Sequence, residues 1–144
     1  MEIRNKSATF EYFIEEKFDA GMVLTGTEVK ALRDGSASFN DSYCLMDRGE
    51  LYIKGLHISH YSFGGFANHV PTRDRKLLLK KRELVRLTQK LKDKGYTIIP
   101  LKIYFNERGY AKIQIGLGKG KKLHDKRETI KQRESEREIK RYIK

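Results

Sequence analysis

A glycine-rich basic run, Gly116-Leu-Gly-Lys-Gly120-Lys-Lys, has the composition of a phosphate-gripping loop. Such a loop needs four residues between its glycines and then Lys-Ser or Lys-Thr, and this run has neither. Nor does it match the dinucleotide fingerprint. It reads as a basic exit from a strand, compatible with contact to RNA phosphates. His57, His60 and His69 are the candidate metal donors. Two of them lie three apart in a predicted strand and so point to opposite faces, and no metal is expected. Cys44 is the only cysteine, which excludes an internal disulfide and a cysteine-based zinc site. Glu28 follows Thr25 at the spacing of a capping box, and Asp19 before Ala-Gly has the look of a turn residue. No nucleophile stands with a base and an orienting partner. Enzyme chemistry, a cofactor and a small-molecule substrate are therefore not expected. Phe63 and Phe66 sit in a glycine-containing loop with His60, Tyr61 and His69. They either pack within that loop or form an exposed platform for base stacking.

The remaining chemistry is charge. The chain carries a net +12, and charged residues make up 35% of it. That balance favours a polyanion: nucleic acid first, an anionic membrane surface second. Residues 119–144 hold 11 Lys or Arg against 5 Asp or Glu, half of the net charge, with few apolar side chains. Such a segment cannot bury enough surface to offset the entropy of ordering itself. Asp125 and Glu128 are spaced as a helix start, and Ile139, Tyr142 and Ile143 form a short apolar stripe. The segment reads as a helix conditional on a partner, since a helix this short is marginal alone. No apolar run reaches the length of a membrane span, and the N-terminus has no signal-peptide core, so the expected compartment is the cytoplasm.

The elements that must position these groups lie in residues 1–118, read as one domain ahead of a tail at 119–144. Residues 1–9 read as a polar lead-in. Tyr12, Ile14 and Phe18 alternate with polar residues in a strand over 10–24, bent at Gly21. A short helix follows from Thr25 to Arg33, with Val29 and Leu32 inward. Phe39 to Asp47 and Glu50 to Ser59 read as a hairpin turning at Arg48-Gly49. Residues 60–74 are a loop. Residues 75–79 are a strand leading into a helix over 81–94, with Leu84, Leu87 and Leu91 on one face and Gly95 as the stop. Two further strands, Thr97 to Phe105 and Tyr110 to Leu117, turn at 107–109. About six antiparallel strands in so short a chain predict a mainly β fold, a small closed barrel with two flanking helices.

The chain also resembles a known family. Its motifs are Tyr12-Phe-Ile-Glu-Glu, Ala20-Gly, Gly26-Thr-Glu-Val-Lys, Asp41-Ser-Tyr, Asn68-His, Arg75-Lys-Leu-Leu-Leu79, Pro100-Leu-Lys-Ile-Tyr-Phe, Lys119-Gly-Lys-Lys and Asp125-Lys-Arg127. In that order they are similar to small protein B (SmpB), the bacterial tmRNA-binding (SsrA-binding) protein of ribosome rescue. The resemblance implies an OB-fold-related barrel that binds the tRNA-like domain of tmRNA. It further implies charging by alanyl-tRNA synthetase, delivery by elongation factor Tu, and trans-translation on stalled ribosomes. The tail would enter the vacant mRNA channel near the small-subunit decoding centre.

Position by position, the resemblance implies contacts to the tRNA-like domain from Asn5, Asp19, Leu78 and Lys112. It assigns the ribosome-facing tail Lys119, Lys121, Lys122, His124, Asp125, Lys126, Arg127, Tyr142 and Ile143, with His124 at a position that stacks on a decoding-centre base. Three positions depart from the family pattern. Asp19 stands for a usual Glu, Phe10 for a usual His, and Val70 where an acid commonly precedes the Pro. From the residues alone, two other readings stay open: a basic structural protein of the ribosome and an RNA-processing enzyme.

Overall fold

The computed structural model of the protein describes residues 2–121. Alternation of apolar and polar side chains builds most of it. β2 (Tyr12–Met22) turns Phe18 and Ala20 inward and Lys17, Asp19 and Gly21 outward. β9 (Ala111–Gly120) buries Ile113, Ile115 and Leu117, and β8 (Tyr96–Phe105) buries Ile98 and Ile103. With β1 (Glu2–Arg4), β4 (Tyr43–Asp47), β5 (Glu50–Lys54) and β7 (Arg75–Leu78), these strands form one antiparallel sheet in the order β1-β8-β9-β2-β7-β5-β4. The sheet curls until β4 packs beside β8. β1 ladders onto Lys102, Ile103 and Tyr104, whereas residues 97–100 of β8 share a cleft with Tyr43. The barrel thus closes by packing, with no strand ladder at the seam among the described residues.

The structure corrects several local readings. The polar lead-in is β1 followed by a short helix, α1 (Ala8–Glu11). Ile3 is the single apolar residue of β1, so the edge pairing leaves no periodic signal. The long hairpin is broken in both arms. Asp41 (φ 63°) and Gly55 (φ 73°) take left-handed backbone, and a Cβ at Gly55 would lie 2.4 Å from the Asp41 carbonyl oxygen. Beyond that crossing, β3 (Ala37–Ser38) and β6 (His57–Ile58) pair as a separate ribbon. The turn at Arg48-Gly49 is as read, both residues having positive φ. Asp19 lies within β2 and not in a turn. The helix α3 (Lys81–Leu91) ends three residues earlier than the stop at Gly95 suggests, and Gly95 (φ 91°) turns the chain into β8.

β9 continues past Leu117 to Gly120, so the glycine-rich run is paired backbone. Its glycines answer a β-bulge near Ile14 and Glu16 of β2. A Cβ on Gly118 would lie 2.0 Å from the Phe13 carbonyl oxygen, and one on Gly116 would lie 2.9 Å from Ile14 Cγ2. Gly118→Ala is expected to cost about 1–3 kcal/mol, because backbone must move to admit the methyl. A denaturation midpoint equal to wild type would show that the bulge yields freely.

One buried node ties the helix α2 (Gly26–Arg33) to the sheet. The predicted capping box is present: the Thr25 hydroxyl accepts from Glu28 N–H at 3.4 Å, and Glu28 Oε1 accepts from Thr25 N–H at 2.8 Å. The cap is only part of the role of Glu28. Arg73 Nη2 donates to Oε1 at 2.6 Å, and Arg75 Nε donates to Oε2. The same Arg75 donates to the Leu56 carbonyl at 2.6 Å and the Pro71 carbonyl at 2.9 Å. Both Glu28 and Arg75 are completely buried. Burial alone pushes the carboxyl up, but hydrogen bonds from Arg73, the Thr25 backbone and Arg75 outweigh it and hold Glu28 down to about 2.

Candidate nucleic-acid interface

Strand register sorts the predicted contact residues. Leu78, Gly21, Lys112 and Tyr104 stand in one row across β7, β2, β9 and β8. Asp19, Gln114 and Lys102 form the next row, which Arg4 of β1 extends. All face away from the core, because the residues between them point into it. Asp19, Leu78 and Lys112 are therefore brought together on one outward face.

The face combines a fixed acceptor, a flat apolar step and separated cations. Tyr104 donates its hydroxyl to Asp19 Oδ1 at 2.8 Å, which fixes the carboxylate across β9. Burial and then the bond to Asp19 push the Tyr104 phenol up to about 12, so it stays a neutral donor. Gly21 leaves room for the half-exposed Leu78, whose Cβ is 3.4 Å from where a Gly21 Cβ would stand. Lys102 Nζ sits 5.6 Å from the Tyr104 ring centroid and 3.2 Å from Glu2 Oε1. At one end of the rows, a groove of about 680 Å³ is lined by Leu78, Lys112, Arg33, Arg108 and Tyr110. At the other, a cleft of about 710 Å³ gathers Arg4, Lys6, Lys17, Lys102 and Lys121 around Phe10 and Phe13. Cations at this spacing can neutralise successive phosphates, while a held carboxylate and an apolar step suit base edges and sugar hydroxyls.

The other predicted residues fall elsewhere. Asn5 lies off the rows at the edge of the second cleft. Its amide donates to the Pro100 carbonyl at 2.8 Å and its Oδ1 accepts from Ser7 at 3.1 Å, so its side chain holds the turn after β1. Lys119 belongs to β9 and stacks over Tyr96 at 4.6 Å from the ring centroid. Lys121 donates to the Thr9 carbonyl at 2.8 Å and lies 4.9 Å from the Phe13 ring centroid. Lys122, His124, Asp125, Lys126, Arg127, Tyr142, Ile143 and the predicted tail helix lie outside the described residues.

Tyr104, Gln114, Lys102 and Arg4 went unmarked in the sequence. The outward phase of β8 and β9 points to the first three, but only register sets them beside Asp19. Among the described residues no cluster of His, Cys, Asp and Glu could hold a metal ion, and no helix is long and apolar enough to cross a membrane. Burial pushes the Cys44 thiol up to about 12, leaving it no thiolate character near neutrality.

Comparison with known proteins bears on the family and the fold of the chain. The model of the family described as SmpB protein matches residues 2–144. An SsrA-binding protein of Cytophaga hutchinsonii is 56% identical over 139 residues, covering 96% of this chain and 91% of the relative. The SsrA-binding protein of Geobacter sulfurreducens is 53% identical over 135 residues, 94% of this chain and 88% of the relative. That of Bacteroides thetaiotaomicron is 46% identical over 142 residues, 99% and 95% of the two chains. A solved chain from the structure "tmRNA-SmpB: a journey to the center of the bacterial ribosome" shares the fold with a TM-score of 0.70 and 51% identity. That match covers 83% of this chain and 84% of the other. On a family match across nearly its whole length and relatives about half identical to it, the chain belongs to the SmpB family.

Proposed function

We propose that this protein is a tmRNA-binding adaptor of trans-translation. Its barrel holds the tRNA-like domain of tmRNA, and residues 119–144 occupy the vacant mRNA channel of a stalled ribosome near the decoding centre. The carrying observation is the pair of rows that sets Lys112, Leu78 and the Tyr104-held Asp19 on one outward face. Family membership, the names of the relatives and the ribosomal context of the solved homologue support the same reading. The protein supplies shape and charge and performs no chemical step. Charging by alanyl-tRNA synthetase and delivery by elongation factor Tu act on the bound RNA, in the cytoplasm.

Capture of cellular RNA on the full-length protein tests this. One dominant species with a tRNA-like end is expected, and a spread of unrelated RNAs would sink the reading. Lys112→Ala is expected to weaken tmRNA binding about five-fold at physiological salt and to lower the salt slope by about one, as for one lost phosphate contact. Unchanged affinity and slope would remove Lys112 from the interface.

A further inference from the structure

We infer that the loop over residues 60–70 is a second RNA contact, a site where Phe63 and Phe66 stack on an unpaired base. The RNA-binding reading above supplies the class of ligand. Phe63 is 86% exposed and Phe66 fully so, so neither ring contributes to the core. The loop that carries them is nevertheless built. Asn68 closes it, with Oδ1 accepting from Tyr61 N–H at 2.9 Å and Nδ2 donating to the Tyr61 carbonyl at 2.7 Å. A 3-10 turn, Gly65–Ala67, lies inside that closure. His69 anchors the base: its Nε2–H donates to the Ile58 carbonyl at 2.8 Å, which leaves Nδ1 to accept from the Thr27 hydroxyl at 2.9 Å. Phe63 also meets Tyr61 edge to face, with centroids 5.6 Å apart.

Charge selects a nucleobase as the occupant. No Asp or Glu occurs from Leu51 to Arg73. Lys30 lies 5.5 Å from the Tyr61 ring centroid. Arg33, one helical turn further along α2, lines the groove beside Lys112. The two cations on one helix face join the groove to the loop. An RNA strand leaving the groove over α2 would keep its phosphates on them and bring a base to the rings. Aromatic faces on a loop without Asp or Glu, beside a cationic track, are the ingredients of single-strand binding.

The test compares Phe63→Ala/Phe66→Ala and Phe63→Tyr/Phe66→Tyr with wild type, all full-length. The two probes are a short single-stranded oligoadenylate and the tRNA-like domain of tmRNA. The alanine pair is expected to bind the oligonucleotide roughly five-fold more weakly or worse, and the tyrosine pair to match wild type. Melting temperatures should be unchanged. A parallel loss on the tRNA-like domain places the stacked base in that domain. A loss on the oligonucleotide alone places it in another RNA. Equal oligonucleotide affinity for the alanine pair, a tyrosine pair as weak as alanine, or a lowered melting temperature would each overturn the stacking site. A wild-type protein that binds the tRNA-like domain no better than oligoadenylate would instead count against the tmRNA reading, and leave the loop result standing.

Discussion

Glu28→Gln is expected to destabilise the fold by about 3–5 kcal/mol. Glutamine has the same shape but no charge. It would leave Arg75 fully buried without its counter-charge and bring an amide donor toward guanidinium donors. Arg75 cannot neutralise itself by losing a proton. The loss would spread, because Arg75 also fastens the Leu56 and Pro71 carbonyls. The same node sets a pH dependence. The Glu28 carboxyl falls from an ordinary 4.5 to about 2 on folding, so the unfolded chain takes up its proton first as pH drops. The stabilisation, about 3 kcal/mol, is fully present above the unfolded value and is lost as pH falls through the folded one. Denaturation at neutral pH and near about pH 3 should show wild type losing stability and the variant losing correspondingly less. A variant with the wild-type midpoint at neutral pH would mean that the node does not hold the fold.

A chain ending at Lys121 is expected to bind tmRNA nearly as well as the full chain and to support no tagging on stalled ribosomes. The cut removes nine Lys or Arg and five Asp or Glu, leaving +8 of the +12. Every residue of the two outward rows is retained, and so are both strand partners of β9. Lys121 keeps its bond to Thr9. Affinity should fall only by the phosphate contacts that residues 122–144 make, visible as a modest decrease in salt slope. Tagging should vanish if those residues fill the channel, since nothing else in the chain replaces them. Tagging by the truncated protein would refute the tail mechanism, and loss of tmRNA binding would move part of the tRNA-like-domain contact into the tail.

How far the sequence could be read follows from the range of each signal. Alternation within 10–24, 97–105 and 110–117 exposed the cores of β2, β8 and β9, and the Thr25–Glu28 spacing exposed the start of α2. These signals are local, and the structure agrees with them. Pairings over long separations left no such mark. β1 joins β8 through main-chain bonds that its polar side chains do not announce. Glu28 meets Arg73 and Arg75 across more than forty residues, so only its cap was visible. The site divides in the same way. Resemblance to a family selected Asp19, Leu78 and Lys112, and register explains why they belong together. It also adds Tyr104, whose hydroxyl crosses from β8 to Asp19.

The seam between β4 and β8 has a dynamic consequence. With no strand ladder across it among the described residues, it is the cheapest place for the barrel to breathe, and amides there can meet solvent through local opening without global unfolding. The stretch of β8 that carries Lys102 and Tyr104 lies outside that weak line, laddered by β1 on one side and β9 on the other. Fluctuation is thus confined to one flank of the barrel, and the two outward rows keep their spacing while the flank opens.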